Sequence, residues 1–458
     1  MAELTPNERA RRLAAGAGAD RLPCVPIVGN TAARVIGCRV RELRYDAALL
    51  ANAQVAAYRE FGYDNIRIFT DLYTSAEAMG AKVYAPADET AYLALPAIQE
   101  PGQIDTLRPA DPQRDGILPL QLEALRRALD AVGDEVPVTA ALTGPFTVAS
   151  FLVGAETLTR LVLRAPSAAR RLCDVALETT LRLAAAIMDS GGTPSLTDAM
   201  SSSTVISPRT FEQFSLPGLR TLVEYIHGRG KKVTLHICGK TQPIWPLMVA
   251  TGADCLSLDN DASLATAKTA VGDRVKLMGN VHPAAVMLQG TPLTVRAAVR
   301  EVVAAAGDSP KGLIVASGCS LPTETPFENI RAMLDAVREI GFPVNRENLP
   351  ETHALAGKIP NSKFQVNRNT QIPNSKPTLN YPGAPRHPFT EGELAHARKF
   401  AVREESTRTH TNPFPTCSRV SDSPSVKGWP RSGRGSSAFD AAAHETPNHP
   451  GAAGEGAV

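Results

Sequence analysis

The feature of this sequence that most constrains its fold is an alternation that continues to about residue 342. Short runs of β-branched or apolar residues alternate with long stretches rich in Ala, Leu and Arg that carry a helical period. This pattern is typical of consecutive βαβ units in a parallel sheet. Eight runs are candidate strands: Val25–Val28, Ile66–Phe69, Val138–Leu142, Ser195–Thr197, Val233–Ile237, Cys255–Leu258, Val275–Met278 and Leu313–Ala316. Because eight parallel strands close one (β/α)8 TIM barrel of about 250 residues or more, we predict an α/β protein with a single barrel over residues 1–342.

Two helix starts are marked by their capping residues. Ser207 precedes Pro208, which predicts a serine N-cap followed by proline in the first helical position. The run Thr325-Pro326-Phe327-Glu328 has the spacing of a capping box. We expect these hydroxyls and prolines to serve helix geometry and not chemistry.

The chain changes character after Gly341. Periodic apolar faces disappear and Pro, Asn, Ser, Thr, His and Gly predominate, so this stretch cannot bury enough apolar surface to offset the entropy of ordering. The pentapeptide IPNSK occurs twice within it, at 359–363 and 372–376. We predict a disordered low-complexity tail over residues 343–458. It is either a nonfunctional extension, such as the product of a shifted reading frame, or a tethered interaction segment.

Charge and composition exclude several classes of partner. The formal net charge is +2 over 458 residues and the basic residues before the tail are scattered, which argues against nucleic-acid binding. The N-terminus lacks the apolar core of a signal peptide, and no run of about 18 apolar residues occurs, so we expect a soluble cytoplasmic protein without a membrane span. Seven widely spread cysteines predict reduced thiols instead of a disulfide framework.

A candidate metal site lies at the ends of two predicted strands. His236 and Cys238 are two residues apart at the end of one strand, so their side chains point to the same face. Cys319 follows the last predicted strand and lies at the same rim, where barrel enzymes carry their chemistry. An imidazole and two thiolates suit Zn²⁺, and three protein ligands leave a coordination position open for substrate. The alternative is that these cysteines are buried as small hydrophobes, as we expect for Cys24, Cys38, Cys173 and Cys255.

Four further polar residues stand at strand ends. Asp259 and Asp198 are candidate catalytic residues that could orient a ligand imidazole or the substrate, or could simply cap loops. Asn280 and His282 are candidates for binding a cofactor, with a structural role in their loop as the alternative.

Several segments of the sequence resemble, in order and spacing, the uroporphyrinogen decarboxylase superfamily. They are LHICG (235–239), GADCLSLDN (252–260), GNVHP (279–283), GTPLTV (290–295) and SGCSLPTETPFENI (317–330). Within that superfamily they resemble the methylcobamide:thiol methyltransferases, including those that methylate coenzyme M. The resemblance implies that His236, Cys238 and Cys319 are zinc ligands. It also implies that a methyl group moves from a methylated corrinoid (methylcobalamin), carried by a separate methyl-corrinoid protein, to a small thiol.

Two other functions stay open. True uroporphyrinogen decarboxylases carry an arginine-rich motif of the RQAGRY type near the N-terminus, whereas this sequence has Arg34, Arg39 and Arg41 in a different setting, which disfavours tetrapyrrole decarboxylation. A non-catalytic barrel that binds a corrinoid partner or a small molecule is the other alternative. The acceptor is also open, because relatives of this kind could methylate compounds other than coenzyme M, such as tetrahydrofolate.

Overall fold

A computed structural model describes residues 3–345 and residue 349 of the chain. Within them, eight parallel strands form one curled sheet surrounded by helices, which confirms the predicted α/β barrel. The tail predicted over residues 343–458 lies, apart from residues 343–345 and 349, outside the described residues.

The strands of the barrel follow the prediction closely, and every predicted run overlaps an observed strand. The barrel strands are β1 (Cys24–Val25), β2 (Ile66–Ile68), β5 (Val138–Thr143), β6 (Thr193–Thr197), β7 (Thr234–Ile237), β8 (Cys255–Leu258), β9 (Lys276–Val281) and β10 (Leu313–Ser317). They pair in the order β1-β10-β9-β8-β7-β6-β5-β2. A hairpin that we did not predict lies between β2 and β5, formed by the antiparallel strands β3 (Lys82–Tyr84) and β4 (Tyr92–Leu95).

Asp64 connects β1 and β2, the two strands at the ends of the sheet order. Its backbone N–H donates to the Cys24 carbonyl at 2.9 Å, and its carboxylate accepts the Cys24 N–H at 2.6 Å. The same carboxylate pairs with the buried guanidinium groups of Arg9 and Arg21. One carboxylate with two arginines therefore joins β1 to the start of β2.

The helices form the outer layer of the barrel. They are α1 (Pro6–Ala14), α2 (Ala32–Val35), α3 (Val40–Tyr45), α4 (Ala47–Phe61), α5 (Thr74–Ala78), α6 (Leu118–Val132), α7 (Pro145–Val153), α8 (Ala155–Arg164), α9 (Pro166–Asp189), α10 (Pro208–Thr210), α11 (Leu216–Gly228), α12 (Trp245–Val249), α13 (Leu264–Val271), α14 (Pro292–Ala306) and α15 (Phe327–Ile340). No single helix of the described chain is long and apolar enough to cross a membrane; α7 and α8 reach that length and composition only as a pair bent by 105°.

One of the two predicted helix caps is confirmed and the other is wrong. Ser207 accepts a hydrogen bond from the Thr210 N–H, as predicted for an N-cap. The N-cap position of α15 is Pro326, without a side-chain cap, because the Thr325 hydroxyl donates instead to the Pro322 carbonyl at 2.7 Å. Thr325 therefore closes the preceding turn and does not cap the helix.

The interior of the barrel has an apolar side and a polar side. Val25, Ile27, Cys255, Met278 and Ala316 form a small apolar cluster separate from the main core. The main core lies between the strands and the helices and includes the outward-facing Leu235 and Ile237 of β7. Polar residues from β2, β5, β6, β7 and β8 line the rest of the interior: Arg67, Thr139, Ser195, Thr234, His236 and Ser257.

Candidate metal centre

The structure brings His236, Cys238 and Cys319 together. His236 lies on β7, Cys238 directly follows that strand and Cys319 follows β10. One ligand atom from each lies within 4.8 Å of the others. Because β8 and β9 separate β7 from β10 in the sheet, the curvature of the barrel is what brings Cys319 to the other two.

The His236 imidazole is oriented by the neighbouring strand. His236 and Ser257 are register partners on β7 and β8, and Nδ1 lies 3.1 Å from both the carbonyl oxygen and the hydroxyl of Ser257. Because a carbonyl oxygen can only accept a hydrogen bond, this contact places the ring proton on Nδ1. In the neutral ring Nε2 then carries the lone pair, and it lies 3.3 Å from Cys238 Sγ. Fixing the tautomer through the second ring nitrogen is the usual arrangement of a metal-binding histidine.

The protonation states of the two thiols differ. A hydrogen bond from the Cys238 thiol, supported by one from His236, holds the pKa of Cys319 well below its usual value. The same bond, together with burial, raises the pKa of Cys238 well above its usual value. Burial lowers the pKa of His236, but the hydrogen bond and negative charge of Cys319 outweigh it and raise that pKa. The three side chains thus favour a thiolate beside positive charge, and this donor set fits a borderline-soft divalent cation such as Zn²⁺.

Asp259 supports the loop that carries Cys238. Its buried carboxylate accepts the Gly239 N–H at 2.8 Å, directly after Cys238. Gly239 has φ +69°, and a Cβ there would lie 2.8 Å from Thr204 Oγ1, so only glycine fits this turn without strain. In this structure Ser257, and not Asp259, holds the imidazole; a catalytic role for Asp259 stays a prediction.

Asn280, on β9, contacts the loop that follows β8, and His282 contacts the backbone of its own loop. Asn280 Nδ2 donates to the carbonyls of Asp259 and Ala262 at 2.8 and 2.7 Å. His282 Nδ1 accepts the N–H groups of Ala284 and Ala285 and so caps the helical turn that follows β9. Both sets of contacts are structural, and cofactor binding by these two residues stays a prediction.

Asp198 lies at the end of β6 and is fully buried. Its carboxylate accepts the N–H and hydroxyl of Thr147 at 2.8 and 2.5 Å and the hydroxyl of Ser201 at 2.6 Å. Burial raises its pKa, although these hydrogen bonds oppose the shift. These contacts connect the end of β6 to α7. The catalytic role of Asp198 also stays a prediction.

Arg67 is a residue of this region that sequence analysis missed. It lies on β2, and its Nη2 donates to Thr197 Oγ1 at 2.9 Å. Thr197 is the register partner of His236 on the neighbouring strand. The sequence does contain a signal for Arg67, because it is the single charged residue inside the apolar run Ile66–Phe69. A charged side chain is rarely buried in a strand without a partner.

A cavity of about 250 Å³ occupies the barrel interior beside this centre. Arg67, Phe69 and His236 line it, and it extends toward the N-terminal ends of the strands, where Lys232 and Lys276 also line it. His236 therefore lies next to this internal space.

Comparison with known proteins gives one family. The uroporphyrinogen decarboxylase (URO-D) family model matches residues 5–340. The chain is 27% identical to a methylated-thiol–coenzyme M methyltransferase of Methanosarcina mazei, covering 75% of this chain and 92% of that protein. It is 25% identical to the methylcobamide:CoM methyltransferase MtaA of Methanosarcina barkeri (73% and 98%) and 26% identical to a uroporphyrinogen decarboxylase of Aliivibrio salmonicida (66% and 86%). A solved methyltransferase from Methanosarcina mazei has a TM-score of 0.67 at 25% identity, covering 74% of this chain and 99% of that one.

Proposed function

Because this chain belongs to the uroporphyrinogen decarboxylase family, we propose that it is one of the methyltransferases of that family and not one of its decarboxylases. It moves a methyl group from a methylated corrinoid, carried by a partner protein, to a thiol such as coenzyme M. The observation that carries this proposal is the convergence of His236, Cys238 and Cys319 on one point. Relatives named as methylcobamide:CoM methyltransferases support the donor and the acceptor.

In this proposal His236, Cys238 and Cys319 would hold a zinc ion, at which the acceptor thiol would bind. When bound, zinc would lower the pKa of the acceptor thiol, so that the thiol loses its proton near neutral pH. The chain's own residues prepare the site. Ser257 keeps Nε2 of His236 free to act as a ligand, and Asp259 fixes the loop that carries Cys238.

The reaction itself is a displacement between the two substrates. The acceptor gives up its thiol proton, its sulfur forms the new bond to the methyl carbon, and the carbon–cobalt bond breaks with its electron pair left on the corrinoid. The ligand residues lie at the C-terminal ends of β7 and β10, the face on which barrel enzymes present their sites. We therefore place the docking site of the methyl-corrinoid protein over this face.

Tetrapyrrole decarboxylation is the alternative within the same family, and 26–28% identical decarboxylases are among the relatives. It requires cationic side chains that are free to hold several acidic groups. Arg34 is already engaged, since its guanidinium donates to the carbonyls of Thr323 and Thr325 and lies over the ring of Phe327 at 4.9 Å. These contacts occupy Arg34 and leave it unavailable for that role.

The test is an assay with free methylcobalamin. Zinc-loaded protein is mixed with methylcobalamin and a panel of acceptors that includes coenzyme M, other thiols and tetrahydrofolate, and demethylation is followed in the corrinoid absorption spectrum. We expect demethylation that depends on a thiol. Loss of carboxyl groups from uroporphyrinogen by the same preparation, with no demethylation, would instead assign the decarboxylase activity.

A further inference from the structure

The internal cavity of the barrel reaches the end of the strands opposite to the metal centre. In most (β/α)8 barrels, layers of bulky branched side chains fill the interior. In this barrel the residues that line the cavity from β5, β6, β7 and β8 include short hydroxyl side chains: Thr139, Ser195, Thr234 and Ser257. They leave the space of about 250 Å³ unfilled. Residues at or just before the starts of six strands also line it: Pro23, Asn65, Pro137, Thr193, Lys232 and Lys276. We call this end of the cavity the N-terminal mouth.

Two lysines lie at the N-terminal mouth. Lys232 precedes β7 by two residues, and Lys276 is the first residue of β9. The sheet register relates Lys276 to Thr234, because Thr234 is the partner of Cys255 on β8 and Cys255 is the partner of Lys276. Two strand spacings, roughly 10 Å, therefore separate the backbones of Thr234 and Lys276. A lysine ammonium group stands on a flexible four-carbon stem, so both lysines can reach a group bound beside the Thr234 hydroxyl.

The cavity carries positive charge that the protein does not neutralise. Asp64 is the one carboxylate among the described residues that line it, and two arginines already pair with Asp64. Within the described chain, the ammonium groups of Lys232 and Lys276 make no hydrogen bond and no ion pair. Arg67 also lines the cavity; its Nη2 donates to a threonine hydroxyl and its Nε has no partner. A cleft lined by charges of one sign attracts ligands of the opposite sign.

The hydroxyl groups at the N-terminal mouth indicate the class of anion. Ser195 and Thr234 are register partners on β6 and β7, so their backbones are roughly 4.8 Å apart. The Ser195 hydroxyl makes no hydrogen bond within the described residues. A phosphate monoester has three strong acceptor oxygens and a charge of about −1.5 to −2 at neutral pH, which matches two ammonium groups and two hydroxyl donors. The cavity is smaller than the roughly 300–1,000 Å³ of sites for drug-sized ligands.

We propose that the N-terminal mouth binds a small phosphorylated molecule, with its phosphate held by Lys232, Lys276 and the hydroxyls of Ser195 and Thr234. The rest of the ligand extends into the cavity toward the middle of the barrel. This site is separate from the metal centre, which lies at the other end of the strands. The proposal does not rest on the proposed function, since it requires neither zinc nor methyl transfer.

The test measures phosphate binding in the absence of turnover. Inorganic phosphate and glycerol 3-phosphate are titrated into the full chain by isothermal calorimetry at constant ionic strength, once with metal-free and once with zinc-loaded protein. We expect equal affinity in the two preparations. Affinity should fall about 10-fold or more in Lys276→Met and about 2- to 5-fold in Lys232→Met, whose lysine is exposed. The control is Lys311→Met, which removes an exposed lysine at the same end of the barrel that does not line the cavity.

Ser195→Ala provides a second variant that leaves the charge of the mouth unchanged. It should weaken binding of both probes several-fold while its melting temperature stays close to that of the natural protein. Affinity that is unchanged in both Lys276→Met and Ser195→Ala would overturn the proposal, as would a natural protein that binds neither probe. Binding that occurs only with zinc would also overturn it, because the phosphate would then lie at the metal centre.

Discussion

Cys319 is the residue on which the proposed centre depends most, because it alone comes from β10. Replacing it with serine exchanges a soft thiolate for a hard, weakly acidic hydroxyl. We predict a loss of bound zinc and a fall in methyl transfer of at least about 100-fold, more than is typical for a residue outside the ligand set. Zinc content by mass spectrometry and the methylcobalamin assay check this.

Cys255→Ser is the matched control for Cys319→Ser. Cys255 is buried at the start of β8, away from the strand ends that carry the ligands. The buried hydroxyl should cost about 1–3 kcal/mol of stability while zinc and activity are kept. If Cys319→Ser kept zinc and turnover while Cys255→Ser lost them, Cys319 would not be the third zinc ligand.

The sequence allowed the grouping of His236, Cys238 and Cys319 to be predicted, but not the residues around them. The two-residue period of a strand places His236 and Cys238 on one face, and strand ends of a parallel barrel share one rim. Ser257 lies opposite His236 through the register of β7 and β8, and the Arg67 side chain on β2 reaches Thr197 on β6 past the intervening strand β5. Register depends on pairing between distant segments, and one sequence does not show it.

At the scale of elements, the turn after β7 sets the position of Cys238. Gly239→Ala would force a left-handed conformation on alanine and bring its Cβ against Thr204 Oγ1. We predict a loss of about 1–2 kcal/mol in unfolding free energy, together with a reduced zinc content because Cys238 is displaced. Urea unfolding and metal analysis are the measurements.

Gly230→Ala is the control for Gly239→Ala, because it has the same backbone strain but lies away from the metal centre. Gly230 has φ +72°, with no atom within 4 Å of an added Cβ. This variant should lose a similar amount of stability and keep its zinc. Equal zinc content in the two variants would show that the turn at Gly239 does not position the ligand.

The observed ends of the strands show where the local sequence pattern did not predict the secondary structure. The predicted run Cys255–Leu258 is the observed β8. β1 ends at Val25 because Pro26 has no N–H to offer the ladder. β9 continues to Val281 because Gly279 and Asn280 pair with β10 although they are not apolar. The β3–β4 hairpin is partly exposed along both strands and shows no clean apolar alternation, so its sequence gave no strand signal.

At the scale of the molecule, the last helix of the barrel ends at Ile340, and the start of the predicted tail packs on the core. α15 packs on α14, and the partly buried Phe342, Val344 and Leu349 extend the same core. We predict that a chain ending at residue 349 keeps the melting temperature, zinc content and methyl transfer of the full chain, since its core is unchanged. Loss of soluble expression on truncation would contradict this and assign the tail a structural role.

The central claim is that one zinc, held by His236, Cys238 and Cys319, is required for methyl transfer to a thiol. The most direct measurement is the rate of thiol-dependent methylcobalamin demethylation in samples of the same protein loaded with zinc to different extents. We predict a rate that rises in proportion to bound zinc, reaches its maximum at one zinc per chain and is abolished when the metal is removed. Metal-free protein that turns over at the full rate would contradict the account.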